Sequence, residues 1–142
     1  MLMNVGHDEA AERFRLEVLR LGRRIRREKV AETVSDAQLD VVSRLHDVGP
    51  ETPGRLAEIE EVSPPAMNRT VNALEKAGYA RRTADPTDGR RVIVELTSAG
   101  HALVADTRRL RNARMEAELA ALAPADRAVL ERSAELMKDL LR

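Results

Sequence analysis

Apolar positions recur at helical spacing over most of the chain and change period once, between Ser63 and Thr97. Met67, Val71 and Leu74 fall at i, i+4 and i+7 and give one apolar helical face. Ser63 is placed to cap that helix, because its hydroxyl can accept from an early N–H. Pro64 and Pro65 follow, where a first turn has no internal use for N–H groups. The opposite face carries Pro65, Ala66, Asn68, Arg69 and Asn72. Gly78 stands where a helix closes with a left-handed residue. Beyond it, Val92, Val94 and Leu96 alternate with Ile93 and Glu95, a strand pattern with Tyr79 to Thr83 as its partner. Ala84 to Gly89 between them is rich in turn formers, with Arg90 and Arg91 at the exit.

The flanks are helical. His7 to Val34 predicts a long first helix, with Phe14, Val18, Leu21 and Ile25 in one stripe widened by Leu16 and Leu19. Its basic run from Arg23 to Arg27 fits a solvated face with cations near the helix C-terminus. Ser35 and Gln38 form a capping box that opens a second helix, Asp36 to Asp47, with Leu39, Val41, Val42 and Leu45 inward. Gly49-Pro50 stops it. Thr52-Pro53 opens a short third helix, Pro53 to Glu61, whose expected buried stripe is Leu56, Ile59 and Val62. Thr97 caps a fifth helix reaching about Leu122, with Leu103, Leu110, Ala117 and Ala121 along one side. Its arginines 108, 109, 111 and 114 are expected in ion pairs or solvent. Pro124 breaks the chain before a last helix, Ala125 to Leu141, with Val129, Leu136 and Leu140 in register.

This order predicts a mainly α fold with a small β-wing (α+β). It is a winged helix-turn-helix over 35–97, flanked by dimerisation helices over 1–34 and 98–142. A short helix, a tight turn and a second helix make the helix-turn-helix pair. Small, polar and cationic groups on the second helix suit the major groove, and the basic hairpin would lie alongside it.

The residues also carry a family resemblance. Ser63 and Arg69, Leu74-Glu75-Lys76-x-Gly78-Tyr79, Arg82, Asp85-Pro86-x-Asp88-Gly89-Arg90 and Leu96-Thr97-x-x-Gly100 form a long spaced signature. It is similar to that of the MarR family of bacterial winged-helix regulators, and the likeness extends over nearly the whole chain. Gly54 departs from the pattern, since relatives usually carry a polar helix former there. The resemblance implies a homodimer that binds double-stranded DNA at a pseudo-palindromic operator, expected as a repressor. Relatives often bind small aromatic acids between dimer arm and winged helix, so a small organic ligand is a further implied partner.

Charge and composition sharpen this. The 142 residues are 34% charged with a formal net charge of +0, so DNA affinity must come from local segregation. Between Ser63 and Arg91 the cations Arg69, Lys76, Arg81, Arg82, Arg90 and Arg91 outnumber the anions Glu75, Asp85 and Asp88 by three. Glu58, Glu60 and Glu61 are unexpected in a DNA-facing unit. There are no cysteines, which excludes disulfides, zinc thiolates and thiol-based oxidant sensing and fits a reducing cytoplasm. No apolar run reaches membrane-spanning length, and the N-terminus MLMNVGHDEAAERF has no signal-peptide core. A cytoplasmic chain without membrane contact is expected. With aromatics at 1%, stacking on single strands has little to work with.

Specific roles follow. Arg69 is the first candidate for base readout, because guanidinium can pair with guanine O6 and N7. Asn68 and Asn72 are candidates for adenine or phosphate; Ser63, Pro65 and Ala66 for backbone or thymine methyls. Arg81, Arg82 and Arg91 are phosphate candidates. By resemblance Arg90 enters the minor groove, and Asp88 is expected to orient it by accepting a charge-assisted hydrogen bond from its guanidinium. Phe14, Val18, Leu21, Leu110, Leu119, Val129, Leu136 and Leu140 are the expected dimer contacts, because one small winged helix cannot bury three wide stripes. His7, His46 and His101 look isolated, and no metal motif, phosphate loop or nucleophile constellation is visible. No enzyme and no cofactor are expected. Met67, Met115 and Met137 read as core fillers. The competing function is a winged-helix module that binds protein without specific DNA binding.

Overall fold

The computed structural model describes residues 5–142; residues 1–4 lie outside the described residues, as do the side chains of Val5 and His7. The elements are α1 (Val5–Arg27), α2 (Asp36–Val48), α3 (Pro53–Ile59), α4 (Pro64–Lys76), β1 (Ala80–Ala84), β2 (Val92–Leu96), α5 (Ser98–Ala120) and α6 (Pro124–Leu140). The expected fold class holds: helices dominate, with one antiparallel two-stranded sheet.

Local chemistry sets most boundaries. Gln38 N–H donates to Ser35 Oγ at 3.1 Å, and Ser35 N–H donates to Gln38 Oε1 at 3.0 Å, which closes the capping box of α2. Thr52, Ser63 and Thr97 cap α3, α4 and α5 with their hydroxyls. Ala123 gives α6 no side-chain cap, and the chain turns there on Pro124. Helix α4 closes on Gly78, at φ 82°, with Tyr79 N–H donating to the Leu74 carbonyl and Gly78 N–H to that of Glu75. Helix α3 closes the same way on a side-chain-bearing residue. Glu61 sits at φ 53°, Val62 N–H donates to Ala57 O and Glu61 N–H to Glu58 O.

Two expectations need correction. The first helix ends at Arg27, seven residues short of Val34. Arg111 of α5 donates to the carbonyls of Glu28 and Arg26 at 2.9 and 3.2 Å, and Lys29 Nζ donates to Val34 O at 2.6 Å. With those carbonyls satisfied from outside the helix, the chain turns and Val34 enters the core at 3% exposure. The third helix stops at Ile59, so Val62 falls in the turn and is exposed.

The core is one cluster running from Val34 to Val104. It contains Leu39, Val41, Val42 and Leu45 of α2, Leu56 of α3, Met67, Val71 and Leu74 of α4, Val94 and Leu96 of β2, and Leu103 and Val104 of α5. In the sheet, Ala80 lies opposite Leu96 and Ala84 opposite Val92. Glu51 adds a third short rung by exchanging backbone hydrogen bonds with Val94 at 3.1 and 2.8 Å. Helix α5 approaches the α4–β1 turn closely. Thr97 Oγ1 donates to Gly78 O at 2.6 Å, Thr97 N–H donates to Tyr79 O at 3.1 Å, and a Cβ on Gly100 would stand 2.1 Å from Tyr79 O.

Outside this cluster the burial pattern changes. Helix α6 buries no residue, and Phe14 at 49%, Val129 at 61% and Leu140 at 73% exposure face solvent. Leu21, Met115, Leu119, Leu130 and Met137 line an open apolar cleft of about 290 Å³ between α1, α5 and α6. Met67 is thus a core filler, whereas Met115 and Met137 are cleft residues. The basic run of α1 stays on a solvent-exposed face, with two of its arginines paired: Arg24 reaches Glu118 at 2.5 Å and Arg26 reaches Asp40 at 2.6 Å. Arg108 pairs with Asp47, Arg109 with Asp106, and Arg114 with Glu28 and Glu118.

Candidate nucleic-acid interface

Helix α4 owes its orientation to Met67, Val71 and Leu74, which are 1%, 0% and 1% exposed and anchor one face to the core. The other face therefore points out, with Pro65, Asn68, Arg69 and Asn72 exposed and Ala66 half-buried. Ser63 is engaged as the cap, accepting from Ala66 N–H at 3.3 Å. The Arg69 side chain takes no part in an ion pair or side-chain hydrogen bond among the described residues. Glu75, which could have neutralised it, bonds Arg82 instead.

Arg82 and the two asparagines depart from expectation. Arg82 starts on β1 and folds back across α4. Nη1 donates to Asn72 Oδ1 at 2.9 Å and to Glu75 Oε2, and Nη2 donates to Asn68 Oδ1 at 3.2 Å. The Arg82 backbone N–H donates to Glu75 Oε1 at 2.9 Å. The guanidinium is half-buried and balanced by Glu75, so it does not stand out as a free phosphate contact. Asn68 and Asn72 are not free amides, since each carbonyl oxygen accepts from Arg82. Sequence spacing concealed this because only the turn at Gly78 brings β1 back against α4.

The wing loop is shaped by Asp85. Thr87 donates its backbone N–H and its hydroxyl to Asp85 Oδ1 at 2.9 and 2.8 Å. Those bonds, and behind them the charge of Arg91, hold the Asp85 carboxyl below its ordinary range. Asp85 N–H also donates to Arg91 O, and the Arg91 guanidinium stands 3.9 Å from Asp85 Oδ2. Asp88 accepts from the backbone N–H of Arg90 at 3.1 Å, not from its guanidinium. The expected charge-assisted orientation of Arg90 is therefore corrected: Asp88 shapes the turn, and the exposed Arg90 side chain has no ion-pair partner among the described residues. Arg81 bonds Glu95, its neighbour across the sheet, at 2.7 Å.

The acidic residues of the helix-turn-helix are accounted for locally. Glu60 pairs with Arg44 of α2 and Glu58 with Arg55, both at 2.9 Å. Glu61 is the left-handed closing residue of α3. His46 and His101 are not isolated: the end of α2 meets the start of α5, and their Nδ1 atoms lie 2.9 Å apart. One ring must supply the proton that the other accepts. Among the described residues no three His, Cys, Asp or Glu side chains gather as a metal site, and no helix is long and apolar enough to cross a membrane.

Comparison with known proteins agrees with this geometry. A model of the MarR family matches residues 34–92, which is the winged part. An HTH-type transcriptional regulator of Mycobacterium tuberculosis is 37% identical over 126 residues, 89% of this chain and 88% of the relative. Among solved structures, a transcriptional regulator protein from Pseudomonas aeruginosa superposes with a TM-score of 0.85 at 30% identity, covering 97% of both chains. Apo MarR from E. coli does so with a TM-score of 0.71 at 26% identity, covering 92% of this chain and 96% of that one. With the exposed face of α4, the basic hairpin and relatives matched over most of their length, the chain belongs to the MarR family of winged-helix, DNA-binding transcriptional regulators.

Proposed function

We propose that the protein acts as a homodimer on a pseudo-palindromic operator and represses by occupying it. Arg69 of each copy reads a guanine edge in the major groove, and Arg90 of each wing reaches the minor groove. Arg81 and Arg91 contact phosphate beside it, while Ser63, Pro65 and Ala66 approach the backbone. The observation that carries this is Arg69: exposed on a helix whose opposite face is buried, and without a charge partner among the described residues. An exposed guanidinium with no internal partner is an incomplete pair that a guanine completes with two hydrogen bonds. The dimer is supported by the apolar stripes of α1, α5 and α6, where Phe14, Val18, Leu21, Leu110, Val129, Leu136 and Leu140 all stay exposed in one copy, with Leu119 half-buried. A two-fold axis between the arms would set the recognition helices about one DNA turn apart, about 34–36 Å. A small organic effector that shifts this spacing belongs to the same proposal; it would act through a coupling of about 1–3 kcal/mol.

The test is binding to duplexes selected from a random pool, measured across a salt series. Wild type is expected to select inverted half-sites. Arg69→Ala should lose about 1–3 kcal/mol and relax choice at one base pair per half-site. Arg90→Ala should weaken binding to all duplexes and flatten the salt slope. Undiminished affinity for duplexes without inverted half-sites, or two mutants that bind like wild type, would instead favour the protein-binding module.

A further inference from the structure

Asn68 and Asn72 are four residues apart, so their amides lie one above the other on the outward face of α4. A single guanidinium, that of Arg82, spans both, at 3.2 and 2.9 Å from their Oδ1 atoms. A guanidinium has five N–H donors and no acceptor. The amide atom turned towards it must therefore be the oxygen, and the Nδ2 hydrogens of both residues turn away from it. Glu75 fixes the same guanidinium, accepting from Nη1 through Oε2 and from the Arg82 backbone N–H through Oε1.

We propose that Arg82 is a positioning residue that sets the hydrogen-bonding polarity of the recognition helix, so that Asn68 and Asn72 meet DNA as donors. This rests on α4 being the helix that enters the major groove. Guanine offers two acceptors there, N7 and O6, and thymine offers O4; cytosine offers only a donor at N4. Adenine offers one acceptor, N7, beside its N6 donor, and asparagine reads it bidentately only when the amide oxygen and nitrogen face that edge together. With both amides turned oxygen-first to Arg82, their N–H groups are the atoms left facing outward, so the base pairs under Asn68 and Asn72 are selected for guanine or thymine edges, against cytosine and against the bidentate adenine contact. The specificity of the helix is thus written partly on the wing strand, by a residue that touches no base. Because Glu75 balances its charge, Arg82 adds little to the electrostatic attraction for phosphate.

The test selects binding sites from a randomised duplex pool with wild type, Asn68→Ala, Asn72→Ala and Arg82→Ala, with folding checked by circular dichroism. The asparagine variants keep the Arg82–Glu75 pair and identify the base pairs concerned, by loss of preference there. Wild type is expected to prefer guanine or thymine at those positions, and 7-deazaguanine placed at a selected guanine should weaken it on the order of tenfold. Arg82→Ala is expected to admit adenine at the same positions with the salt slope unchanged. The proposal is overturned if Arg82→Ala selects the same bases as wild type, or if it lowers the salt slope by about one unit, as loss of a phosphate contact would. It is also overturned if either asparagine variant keeps the wild-type preference. Should Arg82→Ala fail to fold, the asparagine variants and 7-deazaguanine decide alone. Wild type selecting no sequence at all would instead remove the operator reading beneath it.

Discussion

The winged body and the helical arm are built from similar amounts of apolar residue but use them differently. From Val34 to Val104 the apolar side chains of α2, α4 and β2 close on one another, and Val42, Leu56, Val71 and Val94 are all 0% exposed. In α1 and α6 the periodicity is as regular, yet Val18, Leu21, Leu130 and Leu136 remain at 40–51% exposure. The body completes its core within one chain. The arm leaves its stripes open to solvent in one copy, and obligate interfaces bury surfaces of this kind. Hydrophobic patterning announces both cases alike; only burial separates them.

The largest effect should come from breaking the arm. Replacing Leu136 and Leu140 together by Asp is expected to give monomers in analytical ultracentrifugation. Operator affinity should fall roughly 10²- to 10⁴-fold, because the two recognition helices would no longer be joined. A dimeric double variant would erase the contrast between arm and body. Next comes the body: Met67→Ala should cost about 2–5 kcal/mol in urea unfolding, as cavity formation does in a closed core. The matching truncation Leu140→Ala, followed in the monomeric background, should stay within about 0.5 kcal/mol.

Smaller effects test the seams. Gly100→Ala puts a methyl against the Tyr79 carbonyl and should cost about 1–3 kcal/mol, read as a lower urea midpoint. Glu61→Gly should stabilise by about 1 kcal/mol, because Glu61 holds a left-handed backbone at φ 53° that a side chain resists. The smallest is acid loosening of the wing. The Asp85 carboxyl is held low in the folded chain, so its bonds from Thr87 contribute fully above the unfolded carboxylate range and are lost as pH falls through the folded value. Amide exchange at Thr87 should quicken along that descent, while exchange in α4 stays slow.

What could be read from the chain alone follows distance along it. Ser35 with Gln38, Thr52, Ser63, Thr97 and Gly78 each act within one turn of their own position, so their caps were legible as spelled. Val94 and Leu96 were legible because alternation is a local period. The end of α1 was not, since it depends on Arg111, some eighty residues away, taking the last carbonyls. Neither was the fate of Asp88. A carboxylate two residues before an arginine can accept from the guanidinium or from the backbone N–H, and only the turn geometry decides. The partners of Arg82 were hidden for a related reason: its charge suggested phosphate, but the return of β1 over α4 brings it Glu75 and two amides within the chain.

Tyr79, whose carbonyl meets both Thr97 and the close approach of Gly100, is the protein's one tyrosine, and there is no tryptophan. Tyrosine emission of each chain therefore originates at the place where the helix leading into the arm leans on the end of α4. An unlabelled sample carries its own optical gauge of that junction, and any ligand that shifts α5 against α4 should change the quantum yield of this phenol.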